Sequence, residues 1–197
     1  VSKGVYILDV SSPQFTSNQI YGHMMSNVEI GGKSRPTLKN NEIFRSKKCG
    51  IWFKSQSRAL VESNNIYEND HPNVCIFGSS RPVLKFNRIY DGAQSGVAIK
   101  EFGQGLLERN EIFRNRYSNV KIGGYAAPTL SCNKIYGGMQ GGIYVKDLAK
   151  GVIQYNKLYD NVNEDIYVEF GEALPTLIDN STSDEDTNGK YDNVRTP

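Results

Sequence analysis

Asn87-Arg-Ile-Tyr90, followed by Val97-Ala-Ile99, is the stretch that decides the fold, because both patterns return every 23 residues. The asparagine keeps this spacing without slippage at Asn18, Asn41, Asn64, Asn87, Asn110, Asn133 and Asn156. The second pattern keeps the same phase at Val5, Val28, Ile51, Val74, Val97, Val120, Ile143 and Ile166. A third apolar column contains Leu38, Val61, Leu84, Leu107, Leu130 and Ile153. Three columns in phase predict a stacked repeat.

Each 23-residue coil has three short apolar segments, none long enough for a helix, which predicts three short strands per coil. Equivalent strands stack about 4.8 Å apart, so inward Val, Ile and Leu side chains form columns between coils. No coil can bury its own apolar face alone. The chain is therefore predicted to be all-β. We expect a right-handed, single-stranded parallel β-helix of about eight coils over residues 1–180, with a polar tail or cap at 181–197.

A leucine-rich repeat is the alternative architecture, because Leu38-x-x-Asn41-x-Ile43 matches the end of its consensus. The leucine that this consensus places five residues before the asparagine is replaced here, for example by Pro36 and Pro82. Leucine-rich repeats also lack the second strand pattern. The sequence therefore favours the β-helix.

Successive coils alternate, so the full unit has 46 residues. Coils whose second pattern follows an asparagine (Asn27, Asn73, Asn119) alternate with coils that have glycine there (Gly50, Gly96, Gly142). Because both residue types tolerate left-handed backbone, these positions are predicted to form a sharp corner.

Composition excludes several classes of protein. The net charge of +2 is far from that of a nucleic-acid-binding domain, and no apolar run is long enough to span a membrane. Cys49, Cys75 and Cys132 occupy different repeat columns, so we expect free thiols, which favours a reducing, intracellular compartment. With no Cys-x-x-Cys motif and two histidines, neither a metal site nor another cofactor is expected.

A small acidic cluster is the best candidate for catalysis, and it consists of Glu68, Asp70, His71 and Asp91. Glu68 and Asp91 share a column on adjacent coils, about 5 Å apart by the strand spacing. Close carboxylates suit acid–base chemistry or Ca²⁺ binding. However, arginines flank the pair in the same column, at Arg45 and Arg114. We interpret this column as a neutralised charge ladder, and expect no catalytic residue and no enzymatic activity.

A repeated basic and aromatic surface is the candidate binding site, with Arg35, Arg58, Arg81, Lys54, Lys100, Lys146, Trp52, Tyr144 and Tyr167. Arginine offers paired donors to acidic groups, and outward aromatic residues are enriched at interfaces. Solenoids commonly bind through such extended faces. A further outward column alternates in charge and is predicted to be a structural ladder, with Lys39, Glu62, Lys85 and Glu108.

Residues 103–115 (GQGLLERNEIFRN), 81–92 (RPVLKFNRIYDG) and 141–145 (GGIYV) resemble the CASH-type β-helix repeats of F-box-only substrate receptors of SCF ubiquitin ligases. The resemblance covers residues 1–180 and implies a protein-binding domain for substrate recognition, in the cytoplasm or nucleus. Its partner would be an acidic or phosphorylated protein segment. Adaptor binding would need an F-box, which this sequence lacks.

The same repeat is shared more loosely with periplasmic copper-maturation proteins and polysaccharide epimerases, so architecture alone does not fix the function. The alternative function is therefore that of a carbohydrate-active protein: a polysaccharide lyase, hydrolase or epimerase, or a sugar-binding module.

Overall fold

The computed structural model describes residues 4–169 and 172–183, and every regular element in these ranges is a β-strand. The strands form three parallel sheets, to which each coil contributes one strand apiece. The all-β solenoid is thereby confirmed, and the leucine-rich alternative is wrong because no helix connects the strands. No helix in these ranges could cross a membrane. Of the predicted tail, residues 184–197 lie outside the described residues.

The sheets are named by their order along one coil. Sheet A contains β1 (Val5–Ile7), β4 (Val28–Ile30), β7 (Ile51–Phe53), β10 (Val74–Ile76), β13 (Val97–Ile99), β16 (Ser118–Ile122), β19 (Gly141–Val145) and β22 (Ile166–Val168). Sheet B contains β2 (Gln14–Thr16), β5 (Thr37–Lys39), β8 (Leu60–Glu62), β11 (Val83–Lys85), β14 (Leu106–Glu108), β17 (Thr129–Ser131), β20 (Val152–Gln154) and β23 (Thr176–Ile178). Sheet C contains β3 (Gln19–Tyr21), β6 (Glu42–Phe44), β9 (Asn65–Tyr67), β12 (Arg88–Tyr90), β15 (Glu111–Phe113), β18 (Lys134–Tyr136) and β21 (Lys157–Tyr159).

The core is a set of apolar columns between stacked coils. The first and last residues of a sheet A strand point inward, as do the middle residues of the sheet B and C strands. In the coil that contains β10, β11 and β12, the side chains of Val74, Ile76, Leu84 and Ile89 are fully buried. Each packs on its equivalent in the next coil, so stability comes from stacking rather than from any single coil.

Two ladders run the length of the stack, as the repeat predicts. Each column asparagine donates its Nδ2 to the Oδ1 of the next, at 2.9–3.1 Å, from Asn18 to Asn180. The aromatic rings that follow the asparagines stack at centroid distances of 4.9–5.0 Å, from Tyr21 to Tyr159. Because each ring lies face to face with its neighbours, this ladder is structural.

The corners of each coil have left-handed backbone, but not at the predicted positions. In the third coil the left-handed residues are Ser55, Ser63 and Glu68, one at each junction between sheets. Gly50 has ordinary backbone, and a Cβ there would lie 2.7 Å from the side-chain nitrogen of Asn69. The prediction of a left-handed corner at the alternating Asn and Gly positions is therefore wrong. Glycine is needed because a neighbouring amide fills the space.

A disulfide joins Cys49 and Cys75, whose Cα atoms are 6.4 Å apart. The prediction of free thiols is wrong for this pair and right for Cys132, which is free and exposed. Cys75 lies in register with Trp52 of the preceding coil, and Cys49 lies in the turn just before that coil's β7. The contact is diagonal between columns, so a comparison of equivalent positions does not reveal it.

Candidate functional site

The acidic cluster is neutralised, as the sequence predicts. Each of its carboxylates has a cationic partner: Arg45 Nε lies 2.7 Å from Glu68 Oε2, Lys47 Nζ 3.1 Å from Asp70 Oδ2, and Arg114 Nη2 2.7 Å from Asp91 Oδ2. His71 is half-buried beside them and makes no ion pair within the described ranges. No group of three or more His, Cys, Asp or Glu residues in residues 4–169 and 172–183 could hold a metal ion. The cluster is therefore a set of surface ion pairs.

The alternating column on sheet B also forms a charge ladder. Lys39 Nζ lies 3.3 Å from Glu62 Oε2, and Lys85 Nζ lies 2.7 Å from Glu108 Oε2. The hydrogen bond from Lys85 lowers the pKa of the Glu108 carboxyl. Such exposed pairs contribute little to stability, about 0–1 kcal/mol each, but they match charge between coils.

Two of the predicted binding residues are already engaged within the protein. Lys54 pairs with the buried carboxylate of Glu29, and this hydrogen bond raises the Lys54 pKa. Its Nζ also lies 5.4 Å from the ring centre of Trp52. Trp52 is half-buried and packs edge to face on Phe77 at 6.4 Å. We therefore exclude Lys54 and Trp52 from the candidate site.

A groove of about 430 Å³ crosses the later coils where sheet A turns toward sheet B. Its lysines and rings, with the adjacent Tyr144, define what we call the lysine–aromatic face: Lys100, Lys121, Lys146, Phe102, Tyr125 and Tyr144. The carboxylates of Glu101 and Asp147 also line the groove. Gly123 and Gly124 also line the groove, and a Cβ at Gly123 would lie 3.0 Å from Asp147 Oδ2 and 3.3 Å from Lys146 Cγ. The groove thus combines ammonium groups and rings with two carboxylates.

The central ammonium of this face, Lys121, is electrostatically unusual. Partial burial lowers its pKa, and the positive charges of Lys100 and Lys146 lower it further. Asp147 and Glu169 oppose this effect only in part. No carboxylate in the described ranges forms an ion pair with Lys121 or Lys100. Lys100 and Lys121 therefore have no ion-pair partner among the described residues, although carboxylates lie nearby.

The Asp147 carboxylate in the groove is hydrogen-bonded to its immediate surroundings. Asp147 Oδ2 accepts a hydrogen bond from the backbone N–H of Gly124 at 3.0 Å, and its Oδ1 accepts one from Lys146 at 3.0 Å. Chiefly because of the backbone bond, the pKa of Asp147 is lowered, so it stays ionised. Asp147 thus fixes Lys146 at the groove wall and leaves Lys100 and Lys121 for a ligand.

Aromatic rings provide the apolar part of this face. Phe102 and Tyr125 stack on each other at 5.2 Å and are 56% and 58% exposed. Tyr144 lies below Lys121, whose Nζ is 5.1 Å from the ring centre, and contacts the exposed Tyr167 at 5.5 Å. Rings this exposed offer flat apolar surface to a ligand.

Sequence reasoning identified three members of the face, Lys100, Lys146 and Tyr144, and the neighbouring Tyr167. It missed the other three members, which are Lys121, Phe102 and Tyr125. Lys121 occupies the same outward column as Trp52 and Tyr144, so that column contained the signal. Phe102 and Tyr125 belong to a corner column whose other members are polar or aliphatic. The one sequence signal for them is that two aromatic residues occur at this position on successive coils.

The remaining predicted residues, Arg35, Arg58 and Arg81, lie on the second to fourth coils, so Arg81 is one coil away from Lys100 on the fifth. They are exposed, and they line a second groove of about 630 Å³ at the corner between sheets A and B. We call these three residues the arginine column.

The comparisons with known proteins agree with the architecture. The family profile described as right handed beta helix region matches residues 1–104 and 74–191. Solved structures similar to the chain include the periplasmic alginate epimerase AlgG, with 17% identity and a TM-score of 0.76 over 91% of this chain and 47% of that chain. The A-module of mannuronan C-5 epimerase AlgE4 from Azotobacter vinelandii has 15% identity and a TM-score of 0.77, over 89% of this chain and 54% of that chain. Pectate lyase Pel9A has 11% identity and a TM-score of 0.65, over 94% of this chain and 55% of that chain.

At these identities the structural similarity shows the fold alone. The chain spans about half the length of the structures it matches. No curated protein sequence matches it.

Proposed function

Because the chain belongs to the right-handed beta helix family, we propose that it is a carbohydrate-active domain that binds an acidic polysaccharide along the lysine–aromatic face. The observation that carries this proposal is the pair of ammonium groups, Lys100 and Lys121, with which no described carboxylate forms an ion pair. A bound carboxylate would relieve the repulsion between them. The neighbouring rings would pack against the C–H faces of sugar units.

This proposal prefers the carbohydrate alternative to the ubiquitin-ligase receptor that the sequence resembles. The names of the similar structures refer to alginate, mannuronan and pectate, which are all polymers of uronic acids. A domain that recognises such a polymer needs cations at regular intervals and flat apolar surface, and the lysine–aromatic face offers both. Nothing among the matched proteins supports an F-box receptor.

The disulfide is evidence about the cellular compartment of the protein. Disulfides persist in secreted and periplasmic proteins and are rare in the cytosol. The Cys49–Cys75 bond therefore supports an exported protein, in contrast to the cytoplasmic or nuclear location expected from the sequence. Export would also bring the chain to the compartments in which acidic polysaccharides occur.

Replacing both Lys100 and Lys121 with glutamine is expected to weaken binding to polygalacturonate or alginate by at least tenfold. A charged hydrogen bond contributes about 1.5–3 kcal/mol, and about 1.4 kcal/mol corresponds to a factor of ten. Titration calorimetry at low salt measures the dissociation constants, with neutral dextran as a ligand without charge. Lys134→Gln is the matched control, because Lys134 is an exposed lysine on sheet C. Wild-type protein that binds neither polyuronate would contradict the proposal.

A second candidate function, supported by the lowered pKa of Lys121, is proton abstraction. A neutral Lys121 amine can take the C5 proton of a uronate whose carboxylate is held by Lys100. In an elimination, the C5–H electrons form a C4=C5 double bond, the C4–O4 bond breaks, and the leaving oxygen takes a proton from water. The lowered pKa increases the neutral fraction of Lys121 at a given pH. The face therefore places a candidate base, Lys121, near a candidate carboxylate-binding lysine, Lys100.

Lys121→Arg separates catalysis from binding. Arginine keeps the positive charge but cannot lose a proton, so we expect polyuronate affinity to be retained and formation of the unsaturated product, followed by ultraviolet absorbance, to be abolished. Lys100→Arg, which keeps the charge at the carboxylate-binding position, should retain turnover. In the wild type, turnover should rise with pH as Lys121 loses its proton, and the midpoint of this rise should lie below the ordinary lysine pKa of 10.5. Binding without any product would restrict the function to sugar binding.

A further inference from the structure

We propose that the arginine column, Arg35, Arg58 and Arg81, is a second binding site, which binds consecutive carboxylates of an extended acidic polysaccharide. The class of ligand rests on the proposed function. The site itself lies on different coils from the lysine–aromatic face and uses none of its residues.

The backbone holds the three arginines in register. Arg58 N donates to Ser34 O at 2.9 Å, and Arg81 N donates to Ser57 O at 2.9 Å. These bonds place one arginine on each of three adjacent coils, about 4.8 Å apart by the spacing of stacked strands. Each arginine lies two residues before a sheet B strand, so the three side chains leave the protein at one edge of that sheet.

The arginine column has no ion-pair partner among the described residues. No carboxylate of residues 4–169 and 172–183 forms an ion pair with any of the three guanidinium groups. The neighbouring outward column of sheet B is different, since its charges alternate and pair, as at Lys39 and Glu62. Like charges on adjacent strands are destabilising. Three arginines in succession therefore do not stabilise the fold.

The surroundings of the column suit a long ligand. On one side the arginines border a groove of about 630 Å³ with a partly apolar wall that includes Pro36, Leu60 and Val83. On the other side they border a polar depression of about 440 Å³ with Lys33 and Gln56. The guanidinium groups thus stand between an apolar and a polar strip that both run along the stack.

The spacing favours a polysaccharide over a peptide. An extended peptide rises about 3.3 Å per residue and alternates its side chains, so its same-side charges lie about 6.6 Å apart. That distance does not match one arginine per coil. One uronate unit is close in length to the height of a coil and carries one carboxylate. Guanidinium groups bind carboxylates with two parallel hydrogen bonds, so a polyuronate whose glycosidic torsions turn its carboxylates to one side can place consecutive sugars on consecutive arginines.

The test compares binding and stability in the same variants of the full chain. In Arg35→Gln/Arg58→Gln/Arg81→Gln, we expect the affinity for oligogalacturonate to fall by at least about tenfold, equivalent to about 1.4 kcal/mol. The melting temperature without ligand should stay unchanged or rise, because the repulsion is removed. Oligogalacturonate should raise the melting temperature of the wild type more than that of the triple variant. Arg116→Gln, an exposed arginine on another corner, is the control.

The outcomes separate this site from the lysine–aromatic face. If Lys100→Gln/Lys121→Gln abolishes all uronate binding and the arginine variant keeps it, the second site is wrong and the proposed function stands. If the lysine variant retains binding that the arginine variant lacks, the second site stands alone. A triple variant that melts well below the wild type would show a structural role and overturn the proposal. Loss of binding to an acidic phosphopeptide but not to uronate would overturn the ligand class.

Discussion

Replacing Asn87 with alanine is expected to lower the free energy of unfolding by about 4–6 kcal/mol. The side chain is fully buried. Its Nδ2 donates to Val61 O at 2.9 Å and to Asn110 Oδ1 at 3.0 Å, and its Oδ1 accepts from Asn64 N and Nδ2 at 2.9 and 3.0 Å. Alanine leaves the buried N–H of Asn64 unpaired, at about 1–3 kcal/mol, and removes three further hydrogen bonds at about 1 kcal/mol each. Chemical denaturation measures the change.

Asn65→Ala is the control for this variant. Asn65 is half-buried on the outer side of sheet C, and its amide makes one side-chain bond, to Glu42 Oε1 at 2.6 Å. Its loss should cost no more than about 1.5 kcal/mol, the usual upper value for one hydrogen bond. Equal losses of stability in the Asn87→Ala and Asn65→Ala variants would contradict a larger contribution from the buried asparagine ladder.

Truncating Ile99 to alanine should destabilise the protein by about 2–5 kcal/mol. Its side chain is fully buried in β13, in register with Ile76 of the preceding coil and Ile122 of the next. Hydrogen bonds on both sides fix the spacing of the coils, so the structure cannot close around the missing atoms. The cost therefore includes the cavity as well as the lost burial of apolar surface. Thermal and chemical unfolding both report it.

Ile99→Val provides the graded comparison, since it removes a single methylene and should cost about 0.5–1.5 kcal/mol. A melting transition of Ile99→Ala that matches that of Ile99→Val would contradict the assignment of Ile99 to the central column.

The fold follows from the sequence because each strand contributes the same few residues to every coil. Asparagine at the ladder position and Val or Ile in sheet A recur at a fixed interval, and the interval itself predicts the stacking. Even the irregular last coil is visible in the sequence, since Asn180 follows Asn156 by 24 residues and still accepts its Nδ2 hydrogen bond at 2.9 Å. The ion pairs of Arg45 and Arg114 were predictable for the same reason.

Contacts between different columns were not predictable in this way. The Cys49–Cys75 disulfide joins positions 26 residues apart, which belong to different columns. The need for glycine at Gly50 depends on where the amide of Asn69 points, and spacing does not give side-chain direction. Both require the relative position of neighbouring corners, which the coil geometry supplies.

The candidate site shows the same limit. The arginine column is a true column and was identified from the sequence. The lysine–aromatic face combines three columns, because Lys121 comes from within β16 whereas Lys100 and Lys146 follow β13 and β19. The pKa of Lys121 is lowered by burial and by charges from those other columns. No single position in the repeat indicates this effect.

The alternation of asparagine and glycine coils has a consequence for how such a chain can grow or shrink over evolutionary time. Asn73 Nδ2 reaches Asn115 Oδ1 at 3.1 Å across an intervening coil that has Gly92 and Gly96 at the equivalent positions. Deleting or duplicating one coil would bring two asparagine coils or two glycine coils together, with crowding in one case and a void in the other. Gene duplication should therefore add or remove coils in pairs, and relatives of different length should differ by multiples of 46 residues.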